Sequence, residues 1–546
     1  MTGQTVADVV GITLARLGAD CVFGVVGSGN FHVTNALVAQ GARFVATRHE
    51  CGAATAADAY ARISGRVGVV TVHQGCGLTN AMTGIAEAAK SRTPMVVVAA
   101  EPAATALRSN FRVDQDALAR AVGAVSDRVH GADSAVADTA RAWHLAVGER
   151  RTVVLNLPLD VQAAPAESAA PPDALPVHRP RASDTAVATV ADLLARAQRP
   201  VFIAGRGALD SRSELEQLAA ACGALLATSA VAKGLFAGSP WNLDVSGGFA
   251  TPLAADLIRA ADVVVAWGAS LNMWTTRHGT LVDSAATVVQ VDIDPAALGA
   301  HHRIDVGVVG DVRHSADAVR AALRSEATGY RTEDVRARLS AEGRWRDVGY
   351  SDDGDAEHID PRTVTIALDD MLPRERVVAV DSGNFMGYPA AFLAVPDHRG
   401  FCFTQAFQSI GLGLASALGA ALAAPDRLPV AACGDGGFLM AIAELDTVRR
   451  LGLGMLLVVY NDNAYGAEVH HFGPGGYPLS TVVFPDTDLA AIARGHGCAA
   501  ATVRRPDDLA PVAAWLAGPR DVPMVVDVKV AAGRPSWWLE EAFRGH

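Results

Sequence analysis

Val430-Ala-Ala-Cys-Gly-Asp-Gly-Gly-Phe438 is the stretch on which the reading of the fold turns. A short apolar run ends in glycine, an acidic residue follows, and two more glycines lead into a segment with Leu439, Ile442, Leu445, Val448 and Leu451 at helical spacing. That order predicts a buried strand over 430–433, a turn at its carboxyl end and one amphipathic helix. Gly434, Gly436 and Gly437 let a diphosphate approach the backbone, and the helix N-terminus directs N–H groups and a positive dipole end at it. Gly, Asp and Asn also populate ordinary turns. A second cluster, Asn461-Asp-Asn-Ala-Tyr-Gly466, follows the next expected strand, 455–460. Adjacent parallel strands bring their carboxyl ends to one edge, where ligands bind. The two clusters can therefore converge on one Mg²⁺, which prefers octahedral oxygen ligands.

The same texture runs through the chain. Val-rich apolar runs ending in small residues occur at 21–26, 67–72, 95–99 and 152–155, then at 201–204, 263–266 and 288–293, and finally at 377–380, 430–433, 455–460 and 524–526. Ala-rich amphipathic stretches separate them. Strands buried on both faces and alternating with helices imply parallel sheets with crossover helices, an α/β class. Two segments look like linkers. Residues 163–183 carry Pro165, Pro171, Pro172, Pro176 and Pro180. Residues 325–360 are polar, with Ser351-Asp-Asp-Gly-Asp355 and a stretch at 337–346 capable of a helix. Three α/β domains follow, at 1–165, 184–325 and 358–546, the first and third with similar layouts.

With 546 residues, half of them apolar, the chain has material for several cores. A net charge of -12 argues against nucleic acid or an anionic membrane as partner. Seven dispersed cysteines without C-x-x-C fit a reducing cytoplasm better than a disulfide framework or a zinc site. The N-terminal segment lacks the basic end and apolar run of a signal peptide. Residues 410–424 are too short and too rich in Gly and Ala for a membrane span and read as a tightly packed buried helix.

The paired clusters resemble the signature of thiamine-diphosphate enzymes, in the branch of acetolactate synthase, pyruvate decarboxylase and benzoylformate decarboxylase, and the likeness covers nearly the whole chain. It implies thiamine diphosphate and Mg²⁺ as cofactors, with Asp435 and Asp462 as side-chain ligands and Ala464 as a carbonyl ligand. The family usually has Asn where this chain has Asp462, and a register shift of one would make Asn463 the ligand instead. Tyr465 falls in the same motif. Gln408 and Ile410, in Gln408-Ser-Ile-Gly411, match the stretch under the bent cofactor, Ile410 as the wedge between its rings. Gly383 and Asn384 fall where the family binds diphosphate oxygens.

In the first domain, Arg48-His-Glu50 precedes an Ala-rich helix. A Glu at a strand-to-helix junction is ordinarily a helix N-terminal charge. The resemblance makes Glu50 the carboxyl group that hydrogen-bonds the aminopyrimidine and promotes its imino tautomer, a role suited to a dry site. Gly27 and Ser28, in Phe23-Gly-Val-Val-Gly-Ser28, and His73, in His73-Gln-Gly-Cys-Gly77, lie in loops that are glycine-rich in the family. Ser28 and His73 match substrate-handling residues of benzoylformate decarboxylase. Gln115 resembles a glutamine of the acetolactate synthase pocket, and Glu468 a pyruvate decarboxylase carboxylate that faces the scissile group. His470 and His471 are either pocket residues or a surface pair.

The central domain, with Val288-Val-Gln-Val-Asp-Ile-Asp-Pro295, resembles the family's FAD-binding domain, but Ala269-Ser-Leu-Asn-Met-Trp274 replaces its Arg-rich stretch, so FAD is not carried over. Arg206, after Gly205, is either a nucleotide contact or a strand-end turn. The resemblance implies decarboxylation of a 2-oxo acid with carboligation of the resulting enamine to a second carbonyl compound, in a homodimer at least and a homotetramer by analogy. Alternatives are a simple decarboxylase releasing an aldehyde and a non-catalytic thiamine-diphosphate binder. A nicotinamide or flavin oxidoreductase lacks its G-x-G-x-x-G.

Overall fold

The computed structural model describes residues 3–167, 170 and 178–542. Its strands are all parallel and form three six-stranded sheets. The first contains β1 (Cys21–Gly24), β2 (Arg43–Ala46), β3 (Gly68–Val72), β4 (Met95–Glu101), β5 (Val125–Arg128) and β6 (Thr152–Pro158), in the order β2-β1-β3-β4-β6-β5. The second contains β7 (Pro200–Ala204), β8 (Leu225–Thr228), β9 (Asn242–Val245), β10 (Val263–Trp267), β11 (Thr287–Asp292) and β12 (Val306–Val309), ordered β12-β11-β10-β7-β8-β9. The third contains β13 (Arg376–Val380), β14 (Phe401–Phe403), β15 (Leu428–Gly434), β16 (Leu456–Asn461), β17 (Ala499–Val503) and β18 (Met524–Lys529), ordered β14-β13-β15-β16-β18-β17. The first and third sheets thus share one topology. Chain direction through the sheet reverses between β1 and β3 in one, and between β13 and β15 in the other. Crevices at such reversals, at the carboxyl ends of strands, are where open α/β sheets bind ligands.

Central strands are buried on both faces, which is why they read as continuous apolar runs: β3, β10, β13 and β16 have no exposed residue. A fully buried Val contributes about 1.5–3 kcal/mol relative to exposure. Strands missing from the sequence reading are mostly sheet edges, β5, β9, β12, β14 and β17, together with the short inner β8. Edge strands see solvent on one side and mix polar with apolar residues, as β5 does.

The first and third domains share a core. The helix Glu50–Ser64 lies against Gly413–Ala423 through Ala53, Ala56, Ala57, Ala417 and Ala420. Small side chains let the backbones come close. A Cβ on Gly419 would fall 2.0 Å from the Ala56 carbonyl oxygen. The tightly packed helix expected over 410–424 is thus present, beginning at Gly413.

The helix expected after Gly434 is broken. It forms two segments, Asp435–Ala441 and Ala443–Arg450, meeting at Ile442. Leu439 is exposed, while Phe438 enters the core, so the inward face of the first turn differs from the apolar spacing. Of the first linker, Pro171, Pro172 and Pro176 lie outside the described residues; the second contains the helix Glu333–Glu342. Among the described residues no helix is long and apolar enough to cross a membrane. All seven cysteines are unpaired thiols.

Candidate active site

The reversal in the third sheet gathers the first group of expected residues. β15 ends at Gly434, and Asp435 opens the next helix, buried. Asp462 follows β16 directly, one strand away. Burial, with the Asp527 carboxylate adding to it and Lys529 opposing, pushes Asp435 up to about 6. Burial and then the neighbouring Asp435 carboxyl, which Asp462 meets at hydrogen-bonding range, push Asp462 up to about 7. Two desolvated carboxyl groups side by side disfavour each other's ionisation, and a divalent cation between them would reverse that. Among the described residues no group of three or more His, Cys, Asp or Glu side chains is arranged to hold a metal ion by itself. Two carboxylates and a backbone carbonyl still suit Mg²⁺, which keeps places for phosphate oxygens and water.

The loop after Asp462 is held from outside. Asn463 has φ +54°, its N–H donates to Asn461 Oδ1 at 3.1 Å, and its carbonyl accepts from Phe484 N–H at 2.8 Å. The side chain of Asp462 faces Asp435. Ala464 donates its N–H to Asp462 Oδ1 at 3.3 Å and pairs with Val483. Tyr465 lies over Gly436, where a Cβ would meet its ring at 2.7 Å. Gly466 admits Asp462, since a Cβ there would lie 2.2 Å from Oδ2.

Asp381, directly after β13, is a residue that the sequence reading did not pick out. It is fully buried and accepts from the N–H groups of Ser382 (2.8 Å), Gly411 (3.0 Å) and Leu412 (3.1 Å). It thereby fixes the loop carrying Gln408 and Ile410. Burial outweighs those bonds and pushes it up to about 6. Gly383 takes φ +141°, a conformation suited to glycine. Asn384 is anchored by Ser536, whose hydroxyl donates to its Oδ1 at 2.8 Å. Gln408 is exposed with φ +60°, and Ile410 is half-buried beside it.

The equivalent edge of the first sheet holds the second group. Glu50 is the first residue of its helix, buried, and accepts from Asn80 Nδ2 at 3.0 Å. Gly27 and Gly29 lie against His73, where Cβ atoms would approach its ring to 2.8 Å. His73 Nδ1 accepts from Gly29 N–H at 3.0 Å, so the ring proton sits on Nε2. Burial lowers the His73 pKa, the nearby Glu50 opposing, and Phe111 meets the ring edge-on at 5.0 Å. Ser28 is exposed at the mouth of this loop. Gln115 is buried with both ends engaged: Oε1 accepts from Gly75 N–H at 3.1 Å, and Nε2 donates to Asn156 at 2.8 Å. Its amide ties the Gly75 loop to β6. Glu468 is half-buried on the short helix Gly466–Phe472, and His470 on the same helix has a buried Nε2 without a hydrogen-bond partner.

In the central sheet the reversal lies between β7 and β10, and backbone closes it. Gly207 N–H donates to the Gly268 carbonyl at 3.0 Å, and a Cβ on Gly205 would lie 2.3 Å from that oxygen. Arg206 turns away and donates to the Ser91 carbonyl in the first domain; burial lowers its pKa to about 9.

Residues 4–120, 187–319 and 381–528 match, in turn, the N-terminal TPP binding domain, the central domain and the C-terminal TPP binding domain of thiamine pyrophosphate enzymes. The chain belongs to the thiamine pyrophosphate enzyme family. It is 31% identical, over 91% of its length and 88% of the relative's, to a protein of Pseudomonas aeruginosa named "Probable 2-ketoarginine decarboxylase". An acetolactate synthase large subunit of Parasynechococcus marenigrum is 30% identical over 95% of this chain and 86% of its own. A sulfoacetaldehyde acetyltransferase of Alcaligenes xylosoxydans is 29% identical over 84% and 81%. As a thiamine pyrophosphate enzyme, the protein is a carboligase or decarboxylase dependent on that cofactor.

Proposed function

We propose that this thiamine pyrophosphate enzyme decarboxylates a 2-oxo acid and joins the remaining fragment to a second carbonyl compound. The observation that carries the reading is the pairing of Asp435 with Asp462 at one sheet edge, together with Glu50 at the equivalent edge of a sheet of the same topology. When bound, the cofactor supplies an electron sink for the pair left by carbon–carbon cleavage. Asp435, Asp462 and the Ala464 carbonyl would hold Mg²⁺ against the diphosphate, with Gly383, Asn384, Gly434, Gly436 and Gly437 at its oxygens. Glu50 would hydrogen-bond the pyrimidine, Ile410 support its bend and Gln408 receive its amino group. His73, neutral with a proton on Nε2, would donate to a developing oxyanion. Glu468, and Ser28 at the loop mouth, would face the substrate.

The two edges carry exposed apolar side chains, Phe31, Leu107 and Phe111 on the first and Leu439, Met440 and Tyr477 on the third. Patches of this kind mark interfaces, which supports a dimer of chains that completes each site, with a tetramer built from it. Unpaired thiols support a cytoplasmic setting.

A second reading, a simple decarboxylase releasing an aldehyde, gains from Gln115. Its amide is spent on Gly75 and Asn156, which weakens the one pocket feature that pointed to carboligation.

The test is a panel of 2-oxo acids given to the purified protein with thiamine diphosphate and Mg²⁺, scored for CO₂ and for coupled products with and without an aldehyde acceptor. Coupled product supports the first reading and free aldehyde the second. Bound cofactor without CO₂ from any acid would contradict both readings.

A further inference from the structure

Two buried glutamates, in neither of the edges described above, each reach across from one domain to the other. Glu444 belongs to the third domain, on the helix Ala443–Arg450, and is 2% exposed. Its Oε1 accepts from the backbone N–H of Arg48 at 3.1 Å and of His49 at 2.9 Å, and its Oε2 from the Thr447 hydroxyl at 2.7 Å. Arg48 and His49 form the turn that delivers Glu50. Gly52 makes room for the intruding carboxylate, since a Cβ there would come 2.4 Å from Glu444 Oε1.

Glu87 belongs to the first domain, on the helix Cys76–Lys90, and is fully buried. It accepts from the backbone N–H of Ala406 at 3.1 Å and of Phe407 at 2.6 Å, and pairs with Arg62 at 2.7 Å. Arg62 in turn donates to the Phe403 carbonyl at 2.9 Å. Ala406 and Phe407 lead directly into Gln408, whose φ of +60° demands a held backbone.

We propose that Glu444 and Glu87 are a reciprocal pair of positioning residues: each grips, through two backbone N–H groups, the loop by which the other's domain presents a group to the cofactor. The proposal deepens the functional reading and rests on it for the roles of Glu50 and Gln408. Apolar packing alone already joins these domains, through the Ala- and Gly-lined helices Glu50–Ser64 and Gly413–Ala423. Carboxylates buried in such a junction are costly unless several donors meet them. Here the donors are the N–H groups of one strand-to-helix turn and of one loop, so the carboxylates fix loop geometry as well as domain contact. Burial pushes Glu444 up, its donors Thr447, Arg48 and His49 opposing. The bonds therefore work against a real penalty.

Hydrogen–deuterium exchange on the full-length, cofactor-free protein tests the grip itself. In Glu444→Ala the amides of 48–49 should exchange at least tenfold faster, with 406–407 unchanged. In Glu87→Ala the reverse should hold, and the surviving acceptor in Glu444→Gln and Glu87→Gln should give intermediate rates at 48–49 and 406–407 respectively. Calorimetry with thiamine diphosphate and Mg²⁺ then reads the consequence: affinity should fall at least fivefold in Glu444→Ala and recover in part in Glu444→Gln. Should Glu444→Ala fail to fold, Glu444→Gln carries both measurements, with the same directions expected. Unchanged exchange at 48–49, or faster exchange with wild-type cofactor affinity, would overturn the proposal. Failure of the wild-type protein to bind thiamine diphosphate would instead defeat the functional reading, while the exchange rates would still judge the grip.

Discussion

Asp462 meets Asp435 across the ends of two neighbouring strands, both carboxyl groups buried and both pushed far above the ordinary carboxylate range. An asparagine at 462 would keep an oxygen ligand and remove one of the two competing charges. The chain has accepted the electrostatic cost of a second carboxylate, which matters most when no cation lies between them.

Asp462→Asn is therefore expected to stabilise the cofactor-free protein, raising its melting temperature by about 2–4 °C for each 1 kcal/mol gained, and to leave thiamine diphosphate binding in Mg²⁺ nearly intact. Asp435→Asn should weaken that binding about tenfold or more, a cost of about 1.4 kcal/mol or greater. Thermal melts and calorimetry of both variants decide it. Equal losses of affinity would mean that the two carboxylates serve the cation alike.

Asp381 supplies a pH dependence. Its folded pKa of about 6 lies above the ordinary carboxylate value of 3.8, so the folded state holds a proton that the unfolded chain releases between these values. Stability from this group is present at acid pH and is lost as pH rises from about 4 through about 6, by about 3 kcal/mol in the limit. Denaturant melts across that window should show a smaller fall for Asp381→Asn than for the parent. Parallel curves would refute the assignment.

Gly419 sits against the Ala56 carbonyl with no room for a methyl group. Gly419→Ala should cost about 1–3 kcal/mol by forcing the two helices apart, despite the better helix propensity of alanine. A denaturation midpoint at or above that of the parent would show that the helix pair can slide to admit it.

Ser536 bonds Asn384 from the C-terminal segment. Ser536→Ala should lower thiamine diphosphate affinity about two- to tenfold, the worth of about 0.5–1.5 kcal/mol for one hydrogen bond, with little change in melting temperature. An unaltered affinity would make the bond purely local.

The central strands were legible because burial on both faces writes itself as runs of Val, Ala and Leu, as in β3, β10 and β16. The edges were not, because β5 and β12 carry Ser, Asp, Arg and Gly among a few apolar residues. The break at Ile442 left no trace in a pattern whose apolar spacing continued smoothly through it. The residues proposed to touch the cofactor lie in short local motifs, so Asp435, Asp462 and Glu50 could be proposed from the chain alone. Those that brace the motifs could not: Glu87, Asp381 and Glu444 act on backbone N–H groups up to 396 residues away. For Glu444 the available hint was a glycine, Gly52, inside an otherwise Ala-rich helix.

Glu50, buried at a helix start with Asn80 as its partner, is the group on which the proposed chemistry depends. CO₂ release by Glu50→Gln, measured with thiamine diphosphate, Mg²⁺ and the 2-oxo acid that the parent turns over fastest, tests this most directly. A fall of about 10²-fold or more with an unchanged melting temperature is predicted; release at the parental rate would contradict it.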